Sequence, residues 1–496
     1  MTRVRNIAVI GAGPSGLAAA KYLLAEDAFE RIEIFEQRSK VGGVWNHHGK
    51  SVEDQLSMSI PHAQLDPKIP LEKPIWHAVN DAEERLEAIF LSPLYSGMET
   101  NIPKLLMQYS DQPFPPDEQL FPRSQIVLDY IEKYAEDIRS RIQFKNQVQE
   151  VVLDDPERST WAVTWKNLQS GLTRTDRYDA VVVAAGKFDV PYLPYIEGIV
   201  TWNETYPGII SHSKYYDTPD PFHNKKVVIV GSAASAFDIG SQIAKVCRAP
   251  LLSSQRSESY FSFGPETDRV VCEVIAEFLS PTTHQRGIRF ADGRIEEEID
   301  AILFCTGYFY SYPFLSSLRP PVVGDGSRTL NVYQQMFYID HPTMVFTILP
   351  QKIIPFPLAE NQASVFARVW SGRLSLPSNT EMRVWEESFI AKNGSGRSFH
   401  LLRFPLDVDY HNFLYDWAAS AMPKLGLASE GNGKMGSRWG EKERWMRYHF
   451  PEIKKKFLNK EEKRHSIRSL EELGFDFDEA RAGWDALMAA SISGSR

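Results

Sequence analysis

The sequence is poor in cysteine, in long apolar runs and in net basic charge. Cys247, Cys272 and Cys305 are its only cysteines, too few and too scattered for a disulfide framework or a thiolate metal site. A reducing, cytoplasmic setting is therefore expected. No stretch of about 18 apolar residues occurs, so no integral membrane segment is expected. A strand beginning by Ile7 leaves no room for a signal peptide ahead of it. Basic residues are outnumbered, 55 Lys and Arg against 64 Asp and Glu, for a formal net charge of −9. This argues against nucleic acid as a partner, because affinity for phosphate backbones rests on clustered Lys and Arg. The basic group Lys454, Lys455, Lys456, Lys460, Lys463 and Arg464 is diluted by Glu461 and Glu462 and reads as a solvated helix face.

What is present is ample material for cores. Hydrophobic residues make up 43% and charged residues 24%, a globular balance, and 496 residues exceed the size at which one core stops growing. One pattern occurs twice: an apolar strand, a turn of small residues and a helix. The first copy is Asn6 to Ile10, then Gly11, Ala12, Gly13, Pro14, Ser15 and Gly16. The second is Val227 to Val230, then Gly231, Ser232, Ala233, Ala234, Ser235 and Ala236.

Each copy is closed by a later apolar strand, Asp179 to Gly186 and Asp300 to Gly307. Continuous rather than alternating apolar character suits strands of a parallel sheet buried on both faces. The pattern predicts an α/β fold with two Rossmann-like dinucleotide-binding domains, the second inserted in the first, and a mostly helical C-terminal region. Pro191 and Pro194 mark one crossing, and Pro320, Pro321 and Gly324 the other. The expected units are 1–190 with 325–496, and 191–324, with the chain back in the first unit from about Gln334. Trp370, Trp385, Tyr410, Tyr415 and Trp417 are expected to fill core or to cover a site.

In the first turn, Gly11 permits the bend, Gly13 lets backbone approach a pyrophosphate, and Gly16 allows close helix packing. The phosphates would rest on the positive end of the following helix. Glu36, followed by Gln37, ends the next apolar segment, where a carboxylate can accept from ribose hydroxyls and would repel a 2′-phosphate. That suits FAD or NAD. In the second turn Ala233 and Ala236 replace two glycines, while Gly231, Ser235 and Asp238 keep the pattern. Arg256, beside Ser254, offers a fork of donors suited to a 2′-phosphate.

Gly42, Gly43, Val44 and Trp45 resemble a second FAD fingerprint of the flavin-containing monooxygenases. Tyr206-Pro-Gly-Ile-Ile-Ser-His-Ser-Lys-Tyr-Tyr216 resembles the FxGxxxHxxxY signature of class B flavin-dependent monooxygenases. Gly208, His212 and Tyr216 match it, and Tyr206 replaces Phe. Thr100-Asn-Ile-Pro-Lys104 with Met107, Cys305-Thr-Gly-Tyr308, and Ile354-Pro-Phe-Pro357 with Glu360 and Gln362 follow in family order. The similarity spans roughly residues 5 to 420, and the two alanines resemble the yeast-like and fungal branch.

The resemblance implies FAD in the first site, with Thr100, Asn101, Ile102 and Gln362 added to it, and NADPH in the second, with Thr306, Gly307 and His212 added. It implies reduction of the flavin by NADPH, addition of O2 at flavin C4a, and transfer of one oxygen to a small amine or sulfur nucleophile. The C4a-hydroperoxyflavin would be guarded by NADP+ and by exclusion of water. Asn101 is the candidate catalytic residue, because a neutral amide donates and accepts without imposing charge. Its competing role is capping a helix near Ile102 and Pro103. His212 is expected to make a structural hydrogen bond joining the domains rather than to move a proton. Pocket loops are expected within parts of 46–95 and among the C-terminal helices, and large members of the family often self-associate.

Three alternatives remain. An NADPH oxidase releasing H2O2, or a non-oxygenating nucleotide-binding protein, would accord with Ala233 and Ala236. A Baeyer-Villiger monooxygenase would carry Trp where this chain has Tyr216. Disulfide reductases keep their redox thiols close in sequence, and no two of these cysteines are.

Overall fold

The computed structural model describes residues 3–50, 70–80, 83–155, 160–256 and 269–493. The pocket loops expected within 46–95 lie in part outside them. The chain begins with β1 (Asn6–Ile10), α1 (Pro14–Ala25) and β2 (Arg31–Glu36), and adds β3 (Ile142–Phe144) and β4 (Ala180–Val183). It then forms β5 (Ile210–His212), β6 (Val227–Val230), α2 (Ala234–Ala244), β7 (Leu251–Ser254), β8 (Arg269–Cys272) and β9 (Ala301–Phe304). Finally it returns as β10 (Val332–Tyr333), β11 (Phe337–Tyr338) and β12 (Met344–Phe346), followed by α3 (Pro355–Trp370).

Two sheets result. The first runs in the order β10-β11-β12-β4-β1-β2-β3, parallel from β12 to β3. The second runs β5-β9-β6-β7-β8 and is parallel throughout. Every strand of the second lies in sequence between β4 and β12 of the first. The return occurs at Val332, just ahead of the expected Gln334.

β4, β6 and β9 are buried at every position, which is why their sequences show no alternation. Two aspartates fix the register in matching ways. Asp179 accepts from the backbone N–H of Arg5 (2.9 Å) and Asn6 (2.8 Å). Asp300 accepts from that of Lys226 at 2.9 Å. A carboxylate thus ties the start of β4 to β1 and the start of β9 to β6. Pro14 and Pro355 each open a helix, where the missing N–H costs nothing. The small buried face of α1, Leu17 to Ala20, packs with Ala359, Ala363 and Ala367 of α3 in one core cluster.

Beyond β12 the chain is helical, with Asn379–Asn393, Leu406–Ala419, α4 (Glu441–Leu458) and Phe477–Ser493 after α3. Trp370 is buried, and Trp385, Tyr410 and Trp417 pack half-buried on the same cluster, so these four belong to core. Tyr415 is half-buried apart from it. The basic group near the C-terminus divides. Lys455, Lys456, Lys460 and Lys463 are exposed as expected, but Lys454 is 4% exposed. The exposed Lys455 and Lys456 beside it in sequence hid the fact that it lies on the inner face of α4.

The glycine turns differ in tolerance. A Cβ on Gly16 would lie 2.0 Å from the Gly11 carbonyl oxygen, whereas Ala236, at the matching place, packs 5% exposed in an apolar cluster. Gly16→Ala is expected to lower stability by about 1–3 kcal/mol through overpacking. Ala236→Gly is expected to cost at most about 1 kcal/mol through helix propensity. Urea denaturation of the two variants beside the parent measures both.

Candidate functional site

The first site is assembled from two glycine segments that touch. Gly11, at φ +104°, sits so close to the end of β4 that a Cβ would meet the Ala184 carbonyl oxygen at 2.5 Å. Its N–H donates to Phe35 O at 2.8 Å. The Gly42 N–H donates to Ala12 O at 3.0 Å, and a Cβ on Gly43 would stand 3.1 Å from the Gly13 Cα. The fingerprint around Gly43, Val44 and Trp45 is therefore laid on the first turn. Ser92 donates its hydroxyl to the Val44 carbonyl, and Trp45 stands edge-on to Phe356.

Glu36 is bound into the same turn. One carboxylate oxygen accepts from the Ala12 N–H and the other from the Arg38 N–H, both at 2.8 Å. Burial raises its pKa above the ordinary carboxylate value, against the pull of Arg38 and these donors. Each oxygen retains a lone pair for a ribose hydroxyl. Gly13, the N-cap of α1, brings no side-chain cap, leaving first-turn N–H groups for an anion. Pro14, Ser15, Gln37, Gly43, Val44 and Trp45 keep open surface around it. Ser15 accepts from the Thr347 hydroxyl at 2.9 Å and Gln37 from the Gln147 amide at 3.1 Å. The residues present fit a dinucleotide such as FAD.

The second turn repeats the construction. Gly231, at φ +131°, would place a Cβ 2.6 Å from the Cys305 carbonyl oxygen at the end of β9, and its N–H donates to Ser254 O at 2.9 Å. Ala233 is the N-cap of α2 at φ −92° and ψ −177°, close to the extended conformation of Gly13 at φ −74° and ψ 177°. This backbone suits any residue, so the alanine introduces no strain. Gly231, Ser232, Ala233, Ser235, Thr306, Gly307 and Arg256 all present surface. Arg256 makes no ion pair among the described residues. Asp238 is half-buried and accepts from the Tyr95 hydroxyl, which turns it away from the role of a free site carboxylate.

Four further expected contact residues are, like Glu36, buried and hydrogen-bonded within the protein. Gln362, 0% exposed, accepts from the Ile348 N–H at 2.8 Å and bonds the Tyr410 hydroxyl at 3.2 Å. Ser254 donates inward to Glu273 O at 3.0 Å. Thr100 donates to Ile102 O at 2.9 Å. His212, 0% exposed, bonds Gly307 O through Nε2 at 3.0 Å and accepts the Lys214 N–H at Nδ1 at 3.1 Å. Burial lowers its pKa to about 3, which favours the neutral ring, and the two bonds suit its Nε2–H tautomer. The bond it makes runs from β5 to the turn after β9, both within the expected unit 191–324, rather than between two domains. The Tyr192 N–H also reaches Gly307 O, at 2.9 Å.

Asn101 does not cap the nearby helix, which spans Lys104–Met107 with Pro103 as its N-cap. Its half-buried amide has no hydrogen-bond partner among the described residues, while the adjacent Ile102 packs on the cluster that also takes Trp45 and Ile348. One bracket was not read from the sequence. Asp217 accepts from His47 Nε2 at 2.8 Å, from the Lys50 N–H at 3.1 Å and from the Ser96 N–H at 3.0 Å. Lys50 Nζ donates to Leu94 O at 2.6 Å and Tyr216 O at 2.8 Å. The residue after the Tyr216 signature thus holds the segment after Trp45. The signal available was Asp217 itself, adjoining the motif.

A flavin-binding monooxygenase-like family model matches residues 74–263 and 268–401, and an NAD(P)-binding Rossmann-like model matches residues 9–57. The chain belongs to the flavin-binding monooxygenase-like family. Flavin-containing monooxygenase FMO GS-OX-like 2 of Arabidopsis thaliana is 33% identical over 84% of this chain and 85% of that protein. The thiol-specific monooxygenase of Saccharomyces cerevisiae is 30% identical over 76% of this chain and 79% of its own length. The structure of S-allyl-L-cysteine S-oxygenase from Allium sativum superposes with a TM-score of 0.74 at 27% identity, covering 98% of this chain and all of that one. As a member of this family the chain is an FAD-dependent monooxygenase that draws on NADPH. Among the described residues no helix is long and apolar enough to cross a membrane.

Glu36→Gln replaces an acceptor with an amide whose NH2 opposes the Ala12 or Arg38 N–H. The variant is expected to lose flavin, by roughly tenfold or more in affinity, since one charge-assisted hydrogen bond contributes about 1.5–3 kcal/mol. Flavin absorbance per mole of purified protein, followed during dilution, measures it.

Proposed function

We propose that this monooxygenase inserts one atom of O2 into the soft heteroatom of a small molecule, with sulfur favoured over nitrogen. The observation that carries the reading is the fate of the electrons. Two nucleotide turns stand in one chain, and Cys247, Cys272 and Cys305 form no disulfide that could take the electrons in place of O2. The names of the yeast thiol-specific monooxygenase and the Allium S-oxygenase add the preference for sulfur. On this reading residues 1–190 and 325–496 form the FAD-binding unit and residues 191–324 the NADPH-binding unit.

Bound together, FAD and NADPH supply the hydride transfer and the activation of O2. The chain's own residues do the rest. The first-turn N–H groups and Glu36 hold the first dinucleotide, and Arg256 reads the 2′-phosphate of the second. Gln362 and Tyr410 fix the loop at Ile348. His212 holds the turn at Gly307, Tyr216 bonds Gln242 of α2, and Asn101 offers an uncharged donor and acceptor to the reacting oxygen. The apolar packing of Ile102, Trp45 and Phe356 keeps water from that place.

Turnover under 18O2 with NADPH and a panel of thiols, thioethers and tertiary amines tests the reading. The expected product carries one 18O per NADPH oxidised, with a thiol or thioether outpacing every amine. Stoichiometric H2O2 with every compound would instead establish the oxidase. Asn101→Ala is expected to lower oxygenated product by about 100-fold, the cost of removing one preorganised donor. NADPH oxidation should persist and be recovered as H2O2, as product mass spectrometry with a peroxide assay would record.

A further inference from the structure

Helix α4 begins at Glu441, beyond residue 401 where the family match ends, yet it is built onto the segment that carries Asn101. Lys454 Nζ, from the inner face of α4, donates to Thr100 O at 2.8 Å. Glu99 lies 3.8 Å away as its counter-charge, and the ammonium stands 4.5 Å from the Phe121 ring centroid and 5.2 Å from that of Phe457. Glu99 is held in turn by Arg464 Nε at 3.2 Å, His465 Nδ1 at 3.3 Å and Gln119 Nε2 at 3.4 Å. The Leu120 N–H donates to Ile467 O at 2.8 Å. The C-terminal region is thus stitched to residues 99–121 by charge and by backbone.

We propose that Lys454 is a positioning residue for Asn101, its buried ammonium fixing the Thr100–Asn101 peptide so that the free amide of Asn101 is presented to the flavin site. The proposal rests on the role given to Asn101 above. The geometry is specific, because the Thr100 carbonyl belongs to the same rigid peptide unit as the Asn101 nitrogen. On the other side, the Thr100 N–H is anchored to Pro122 O at 2.9 Å and the Thr100 hydroxyl to Ile102 O at 2.9 Å. Three bonds therefore set the backbone around a side chain that has no hydrogen-bond partner among the described residues.

The burial of the charge points the same way. An ammonium taken out of water incurs a desolvation cost that an apolar residue of similar volume avoids, so a buried pair is weak evidence for stability alone. A methionine would fill the space between Phe121 and Phe457. What it would lack is a donor aimed at Thr100 O. Asp238 of α2 also bears electrostatically on Lys454, so the second nucleotide unit, the Asn101 segment and α4 converge on one cation.

The test compares flavin-loaded and flavin-free Lys454→Met with Lys454→Arg, with Asn101→Ala, and with Lys442→Met, an exposed position of α4. Hydrogen exchange of the peptide 99–104 and the thermal midpoint are read without turnover, and H2O2 released per NADPH is read during it. Lys454→Met is expected to exchange faster in 99–104 in both forms. Its ratio of oxygenated product to H2O2 should fall on the order of tenfold to a hundredfold, with KM for NADPH unchanged. Lys454→Arg should restore part of the ratio, and Lys442→Met should match the parent. Unchanged exchange or an unchanged ratio in Lys454→Met overturns the proposal. If that variant does not hold flavin, Glu99→Gln, which removes the counter-charge that keeps the ammonium at Thr100 O, must shift both readouts in the same direction, and no shift overturns it. A parent-like ratio in Asn101→Ala removes the role of Asn101 instead, and exchange in 99–104 alone then judges the clamp.

Discussion

Gly11 presses on the Ala184 carbonyl and Gly231 on the Cys305 carbonyl, and from these two close approaches the remaining architecture follows. Each turn sits over the end of the strand beside it, where only a residue without Cβ and with positive φ fits. The helix that leaves the turn therefore starts at the carboxyl end of the sheet, with its unbonded N–H groups facing outward. The aspartates at the far ends of the same strands complete the device: Asp179 and Asp300 align the strand pairs, and the glycines set the turns.

Most of this was legible because it is local. A glycine between a strand and a helix, a run of apolar residues without alternation, and a signature with fixed spacing each state a backbone requirement within one segment. Ala233 and Ala236 were harder to weigh, since sequence gives the methyl but not the space. Ala233 occupies an extended cap and Ala236 a packed cluster, so both alanines are accommodated in the second turn where the first excludes one at Gly16.

What was not legible depends on direction or on distance along the chain. Ser254 and Gln362 are hydrogen-bonded within the protein, and residue type carries no sign of that. His212 was expected to bridge two units and instead bonds the turn after a strand of its own sheet. The His47–Asp217 and Lys454–Thr100 links join positions with no shared period, and Lys454 was masked by the exposed lysines around it. Asn101 was named for its chemistry, and the structure removes its competing task as a cap.

The route of the chain has a consequence for its synthesis. β4 is laid down by Val183, but its outer neighbour β12 begins only at Met344, after the whole second sheet. Until then the nascent protein presents a bare apolar edge whose hydrogen-bonding groups await a partner, the kind of surface on which chains aggregate. The inserted sheet, by contrast, leaves and returns through Val190–Pro191 and Tyr308–Phe309, which pair with each other, and it can close upon itself first. In order of synthesis, the strands of the inserted sheet are therefore complete before the first sheet receives its last ones.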